Sequence, residues 1–350
     1  MKAFVVERYG GADTVRAADV PDPQVGAHDV LVRVRAAGVN PVDLKIRNGD
    51  LKAILPLRAP FVLGNDLAGT VVAVGARVTR FAVGDEVYAH PEQNRMGTFA
   101  ELIAIHQDDV AIKPRTLSMA EAASIPLVGL TVWQALVGRA NLRPGQKVLI
   151  HAGAGGVGTL AIQLAKHLGA SVATTASRTK TDLVKNLGAD VVIDYQKHAF
   201  DTILHDYDVV LDTVGGDTLD KSLRVLKPGG IVISITGPPD PAFAQEIGAN
   251  PVVRLAVAAL SYRIRRRARR HQVTYSYLFM KASGDQLREL TALIDAGIIR
   301  PVVDSVFDFD QTREALAHLE QGRTEGNLRP RATTSKADSS DDFPLLFAPR

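Results

Sequence analysis

Between His151 and Ala170 the chain reads HAGAGGVGTLAIQLAKHLGA, and four glycines fall among the six residues Gly153, Ala154, Gly155, Gly156, Val157 and Gly158. Glycines at this density suit chemistry in which a backbone must approach a bulky anion closely. Without Cβ atoms the chain turns tightly, and the free N–H groups opening the next helix face a pyrophosphate. About twenty residues on, a dinucleotide site that reads a free ribose 2′-hydroxyl places an Asp or Glu. Here the sequence is TTASRTKTD: Ser177 stands in the acid's place, and Arg178 and Lys180 follow it. A hydroxyl donor and two cations suit a 2′-phosphate. The pattern favours NADPH over NADH. Two plainer readings stand beside it, a tight turn that holds no ligand and a solvated helix start at Arg178–Lys180.

Such a loop needs a strand before it and a helix after it. KVLIH (147–151) has the composition of a strand, while Leu160, Leu164 and Leu168 recur at i, i+4 and i+8 before the terminating Gly169. Further apolar runs follow at SVATT (171–175), VVID (191–194), DVVLD (208–212) and IVISI (231–235), each separated by a helical segment. Near-continuous apolar strands spaced by helices predict a doubly wound parallel sheet covered on both faces, an α/β fold. Upstream of about Pro126 the pattern differs. Short alternating runs such as DVLVRVRAAGV (29–39) and AGTVVAVGARV (68–78), punctuated by Gly, Pro and Asp, predict a β-rich domain. The last twenty residues, 331–350, are rich in Ser, Asp and Pro and read as a disordered tail.

Composition narrows the chemistry. The 350 residues suffice for two domains, and 46% apolar with 23% charged residues is ordinary for a globular chain. No cysteine is present, which excludes disulfides, thiolate catalysis and cysteine-ligated zinc. Apolar runs fall short of the roughly 20 residues of a membrane span. The N-terminus reads as a strand rather than a secretory signal, so a cytoplasmic location is the expectation. A net charge of +3 does not by itself point to a polyanionic partner.

The chain resembles the zinc-free quinone oxidoreductase branch of the medium-chain dehydrogenases/reductases. The resemblance runs from about Met1 to Gly326 and rests on GVNPVDLKIRNG (38–49), LGNDLAGTVVAVG (63–75), FAVGDEVYA (81–89), GTFAEL (97–102), AASIPLVGLTVWQAL (122–136), the glycine segment, LGADVVIDY (187–195) and LKPGG (226–230). It implies a GroES-like β-rich catalytic domain from 1–126 and 283–330, a Rossmann NADPH-binding domain from 127–282, a cleft between them and a homodimer. It also implies that Lys180 and Tyr195, eight residues before and seven after Gly188, recognise the 2′-phosphate, and that Thr131 lies near the nicotinamide unless it only packs its helix. Metal-dependent relatives carry a cysteine where this chain has Asn40, and a His-Glu pair where it has Asn65 and Asp66. No metal site is expected, and a zinc alcohol dehydrogenase is the disfavoured alternative.

Without a metal to polarise a carbonyl, the small-molecule substrate must already be electrophilic, which a quinone or an α,β-unsaturated carbonyl is. Hydride arrival builds negative charge on the substrate oxygen, and preorganised donors there lower the barrier. The resemblance places three candidates: Asn40 through its amide, Lys45 through its ammonium, and Asn65. Lysine at position 45 is similar to the alkenal-reducing branch. Each has a structural alternative: a loop brace for Asn40, a salt bridge with Asp43 for Lys45, a simple turn for Asn65. A non-catalytic NADPH-binding sensor or nucleic-acid binder is the rival reading of the whole chain.

That rival rests on a departure from the family pattern. NPVVRLAVAALSYRIRRRARRHQ (250–272) predicts a helix starting at Asn250-Pro251, with Val252, Ala256, Leu260 and Ile264 on one stripe and six arginines between Arg263 and Arg270. A basic amphipathic helix suits a solvated face over the cofactor's phosphates or the dimer edge, or else contact with an anionic membrane, a nucleic acid or an acidic quinone substrate. VTYSYLFM (273–280) alternates like a strand, and in the family such a strand pairs across a dimer. The second departure is EGNLRPRATTSK (325–336), where the family's closing apolar strand is missing.

Overall fold

The structure, a computed structural model, describes residues 1–321 and the backbone of 322–324 and 344–347. It divides into two compact units. One comprises Met1–Leu127, Lys281–Ala296 and the described residues from Pro301 on; the other comprises Val128–Met280 with Gly297–Arg300.

In the first unit, strand Lys2–Val6 pairs on one side with Val15–Asp19 and on the other with Phe61–Val62. A larger sheet is built on the strand Asp29–Val39, antiparallel to both Asp66–Val74 and Leu102–His106. Alternation of Val30, Val32 and Val34 turns one face of this strand into a core that also holds Phe4, Leu67, Phe99 and Phe309. The pairing Gly38↔Asp66 needs glycine, since a Cβ there would lie 2.5 Å from Ala123 O and 2.9 Å from Asp66 Cβ. Helix Gly284–Asp295 packs on this unit and receives the Tyr88 hydroxyl at Leu287 O, 2.6 Å away.

The C-terminal expectation is corrected here. A closing strand exists: Pro344–Phe347 pairs parallel with Asp29–Val39 and antiparallel with Ser305–Asp308. The segment PLLF, inside the stretch read as a tail, forms that strand. Residues 325–343 and 348–350 lie outside the described residues.

The second unit is a six-stranded parallel sheet. Its order is Val191–Asp194, Ser171–Ala176, Lys147–Ile150, Tyr207–Asp212, Leu226–Ser234, Thr274–Tyr277. Numbered along the chain this is 3-2-1-4-5-6, the order of a dinucleotide-binding sheet. Helix Gly156–His167 follows the first strand and buries Leu160, Ile162 and Leu164. The predicted long helix at 250–272 is two helices, Pro251–Leu260 and Tyr262–Arg270, and Asn250 does cap the first by accepting Val253 N–H at 3.0 Å. Its predicted apolar stripe is split: Ile264 is buried, whereas Val252 and Leu260 are exposed.

Candidate functional site

The glycine segment joins strand Lys147–Ile150 to helix Gly156–His167 and is locked by its neighbour in the sheet. Gly153 N–H donates to Thr175 O at 2.9 Å, Ala152 N–H to Thr175 Oγ1 at 3.0 Å, and Thr174 Oγ1 to Ile150 O at 2.7 Å. Contact is so close that a Cβ on Gly153 would sit 2.0 Å from Thr174 Oγ1, and one on Gly158 2.3 Å from Ala152 O. Gly155 caps the helix, so the first-turn amides of Gly156, Val157 and Gly158 have no carbonyl one turn back to accept them. Ala154 is buried beneath the turn. Amides, helix dipole and missing side chains make a cradle that fits a pyrophosphate.

The parallel register Ala176↔Asp194 brings Ser177 beside Tyr195 at the same edge of the sheet. Ser177 Oγ pairs with Thr179 Oγ1 at 3.1 Å, and Arg178, Lys180 and Tyr195 are all exposed. Three chain segments, after the first, second and third strands, thus end together where a dinucleotide lies in this topology. Thr131 is buried on helix Pro126–Trp133.

Two positioning residues under this edge escaped the sequence reading. Asp212, wholly buried, accepts Val214 and Gly215 N–H through Oδ1 and the Ser234 hydroxyl through Oδ2, which fixes the turn after the fourth strand. His151 is buried between Ser222 Oγ, 2.8 Å from Nε2, and Thr175 Oγ1, 3.4 Å from Nδ1. Burial pushes its imidazole down to about 4, so it is neutral at pH 7. An unfolded chain takes up this proton near 6.5, the folded one only near 4. The associated stability is complete above pH 6.5 and is lost as pH falls toward 4, by roughly 3 kcal/mol. Asp43, which burial raises to about 7, acts oppositely over the same window, because there only the folded chain keeps its proton. The expected result is therefore a difference: denaturant unfolding of His151→Gln loses less stability between pH 6.5 and 4 than wild type.

In the first unit, strand register gathers residues far apart in sequence. Gly38↔Asp66 sets Asn40 near Asn65, and Leu67↔Ala89 sets His90 beside Asp66. All are buried. Asn40 caps helix Pro41–Asn48: its backbone N–H donates to Asp43 Oδ2 at 2.6 Å, while its side-chain amide donates to Asp66 Oδ2 at 2.9 Å. The Asn65 amide donates to Asp43 Oδ1 at 2.6 Å. Asp66 Oδ1 lies 2.9 Å from His90 Nδ1 and accepts Leu127 N–H at 3.0 Å. Burial raises the Asp66 carboxyl, as it does that of Asp43. Both Asn amides therefore brace carboxylates. Lys45 is half-buried on the helix that this network caps, and Asp43 accepts from Asn40 and Asn65.

The residues at the positions of a metal site do not fit a metal. Asn40 and Asn65 turn N–H donors toward carboxylate oxygens, and among the described residues no three His, Asp or Glu side chains are gathered to hold an ion.

Comparisons with known proteins agree with this architecture. The alcohol dehydrogenase GroES-like domain family matches residues 26–115, and the zinc-binding dehydrogenase family matches residues 187–328. The NADPH-dependent alkenal/one oxidoreductase of Arabidopsis thaliana chloroplasts is 37% identical over 94% of this chain and 78% of its own length. The 2-methylene-furan-3-one reductase of Solanum lycopersicum shows the same identity and coverage. Among solved structures, the quinone oxidoreductase from Coxiella burnetii superposes with a TM-score of 0.81 at 30% identity, covering 100% of this chain and 99% of the other. Glycine cradle, sheet order and sustained identity across both units lead to one conclusion: the chain belongs to the quinone and alkenal reductase branch of the medium-chain dehydrogenases/reductases.

Proposed function

We propose that this protein is an NADPH-dependent, zinc-independent reductase of quinones or α,β-unsaturated carbonyl compounds. The observation that carries the reading is the glycine cradle, whose contacts with Thr174 and Ala152 tolerate no side chain at Gly153 or Gly158. The relatives named as alkenal/one and quinone oxidoreductases give the substrate class. Bound NADPH supplies hydride from its nicotinamide ring. The first-turn amides of Gly156, Val157 and Gly158 bind the pyrophosphate, while Arg178, Lys180 and Tyr195 bind the 2′-phosphate from the neighbouring strand ends. Thr131 contacts the nicotinamide end. Lys45 stabilises the oxyanion that develops on the substrate, and Asn40 and Asn65, through Asp66 and Asp43, hold the start of its helix.

A homodimer completes the reading, formed along strand Thr274–Tyr277, the last strand of the parallel sheet, whose outer edge has no partner strand among the described residues. A cytoplasmic location is also part of it; no described helix is long and apolar enough to cross a membrane.

The test is a screen of NADPH oxidation over quinones, enals and enones, with cofactor titration by fluorescence. Turnover of at least one class is expected, with NADPH bound at least about tenfold tighter than NADH, equivalent to about 1.4 kcal/mol. Lys180→Ala removes most of that preference. Equal affinity for the two cofactors, or a preference that survives in Lys180→Ala, defeats the 2′-phosphate assignment; inertness toward every acceptor despite tight NADPH binding favours the sensor reading.

A further inference from the structure

Helices Pro251–Leu260 and Tyr262–Arg270 carry a surface that the proposed reaction does not use. Ser261, between them, keeps right-handed helical angles; its N–H donates to Val257 O at 3.1 Å, and Arg265 N–H to Ser261 O at 3.0 Å. Helical phase passes through the junction. The buried positions accordingly recur as Val257, Ser261, Ile264 and Ala268, spaced i, i+4, i+7 and i+11, so one stripe faces the protein along both helices.

The opposite face is exposed along its whole length, but its chemistry changes at the junction. On the first helix it presents Val252 and Leu255, which are 77% and 73% exposed, with exposed Ala256 and Ala259, and Leu260, 66% exposed, lies on its flank at the junction. The single charged residue of this helix, Arg254, points back to Ala249 O at 2.7 Å. On the second helix the same face presents Arg266 and Arg269, with Tyr262 at the change-over and exposed Arg263 and Arg270 at its margin. The other two arginines are engaged, Arg265 by Ala258 O at 2.9 Å and Arg267 by Asp220. Among the described residues the four outward arginines have no ion-pair partner. A recess of about 460 Å³ opens between this helix and helix Gly216–Val225, walled by Arg263, Arg270, Lys221 and Arg224 against Asp217 and Asp220.

A partner for this face must be apolar at one end and anionic at the other. A second copy of the chain covers apolar surface with apolar surface only by leaving four arginines on each chain without counter-charge. A nucleic acid answers the arginines but leaves Val252, Leu255 and Leu260 in water. An anionic bilayer surface offers both, phosphates and, immediately beneath them, acyl chains. We propose that this face docks on an anionic phospholipid surface, with Val252, Leu255 and Leu260 entering the acyl boundary, Tyr262 at headgroup level and the four arginines against lipid phosphates.

The test uses the full chain, co-sedimented with phosphatidylglycerol–phosphatidylcholine vesicles and with pure phosphatidylcholine vesicles at low and high salt. Binding to the anionic vesicles is expected, weakened by salt, and reduced at least about tenfold by replacing Arg263, Arg266, Arg269 and Arg270 together with Gln. Leu255→Glu with Leu260→Glu, at exposed positions that leave the fold intact, is expected to reduce it similarly while NADPH affinity and thermal unfolding stay unchanged. Absence of binding to anionic vesicles at low salt overturns the proposal. So does an apolar variant that leaves vesicle binding intact, or one that splits a dimer in light scattering while wild type ignores vesicles. RNA retention that depends on the arginines, without any vesicle binding, overturns it in favour of a nucleic-acid partner.

Discussion

Lys45→Met lowers kcat for enones about a hundredfold and leaves NADPH affinity within about twofold of wild type. The size follows from the role proposed for its ammonium: loss of one preorganised donor to a developing oxyanion typically costs on the order of 3 kcal/mol. Methionine keeps the length and apolar stem of the side chain, so the half-buried position stays filled. The cap of the helix keeps the bonds that Asn40 and Asn65 make to Asp43 in the variant. A purely structural lysine gives the reverse pattern, a lower melting temperature with kcat almost unchanged. Enones should suffer more than quinones, since a weaker hydride acceptor relies more on stabilisation of the charge it acquires. Steady-state kinetics on both classes, beside thermal unfolding, separates these outcomes; enone turnover at the wild-type rate removes Lys45 from the mechanism.

The companion expectation for Asn40 and Asn65 differs in kind, and the difference shows where sequence stops being informative. As letters, Asn40 fits a substrate donor or a loop brace, and Asn65 a weaker donor or a simple turn. What decides is the pair of buried carboxylates 3 and 26 residues from Asn40, and no local pattern announces that Asp43 and Asp66 meet. Strand register makes that meeting, through Gly38↔Asp66, and register is a property of two strands together. The same holds for His90, which a pass along the chain leaves among nine scattered histidines.

Local signals fared better. Strand, glycine turn and helix are contiguous, so spacing alone located the cradle, and the near-continuous apolar strands read directly as a sheet buried on both faces. PLLF was lost for the opposite reason. Four apolar residues follow a long polar stretch, and their parallel partner lies some three hundred residues earlier in Asp29–Val39. The stripe read at 250–272 failed through drift: residues four apart advance about 40° beyond a full turn, so three steps carry Ile264 about 120° from Val252. One end of that supposed stripe faces the core while the other faces out.

The cradle itself yields the second large effect. Gly158→Ala is expected to weaken NADPH binding at least about a hundredfold, equivalent to about 2.7 kcal/mol. The added Cβ would lie 2.3 Å from Ala152 O, 2.6 Å from Gly153 Cα and 2.8 Å from Gly153 C, and all three are backbone atoms. No rotamer change relieves such contacts, so either the helix start or the turn must move. The turn has little room, because Gly153 is held by Thr175 O and lies against the Thr174 hydroxyl. Moving the helix start displaces the amides of Gly156, Val157 and Gly158 from the pyrophosphate, whose hydrogen bonds depend on their aim. Gly138→Ala is the control, since a Cβ there meets nothing within 4 Å. Fluorescence titration gives the affinities, and far-UV circular dichroism shows that both variants remain folded. If folded Gly158→Ala binds NADPH as tightly as Gly138→Ala, the pyrophosphate does not sit on this turn, and the cofactor assignment must be sought elsewhere on the sheet edge.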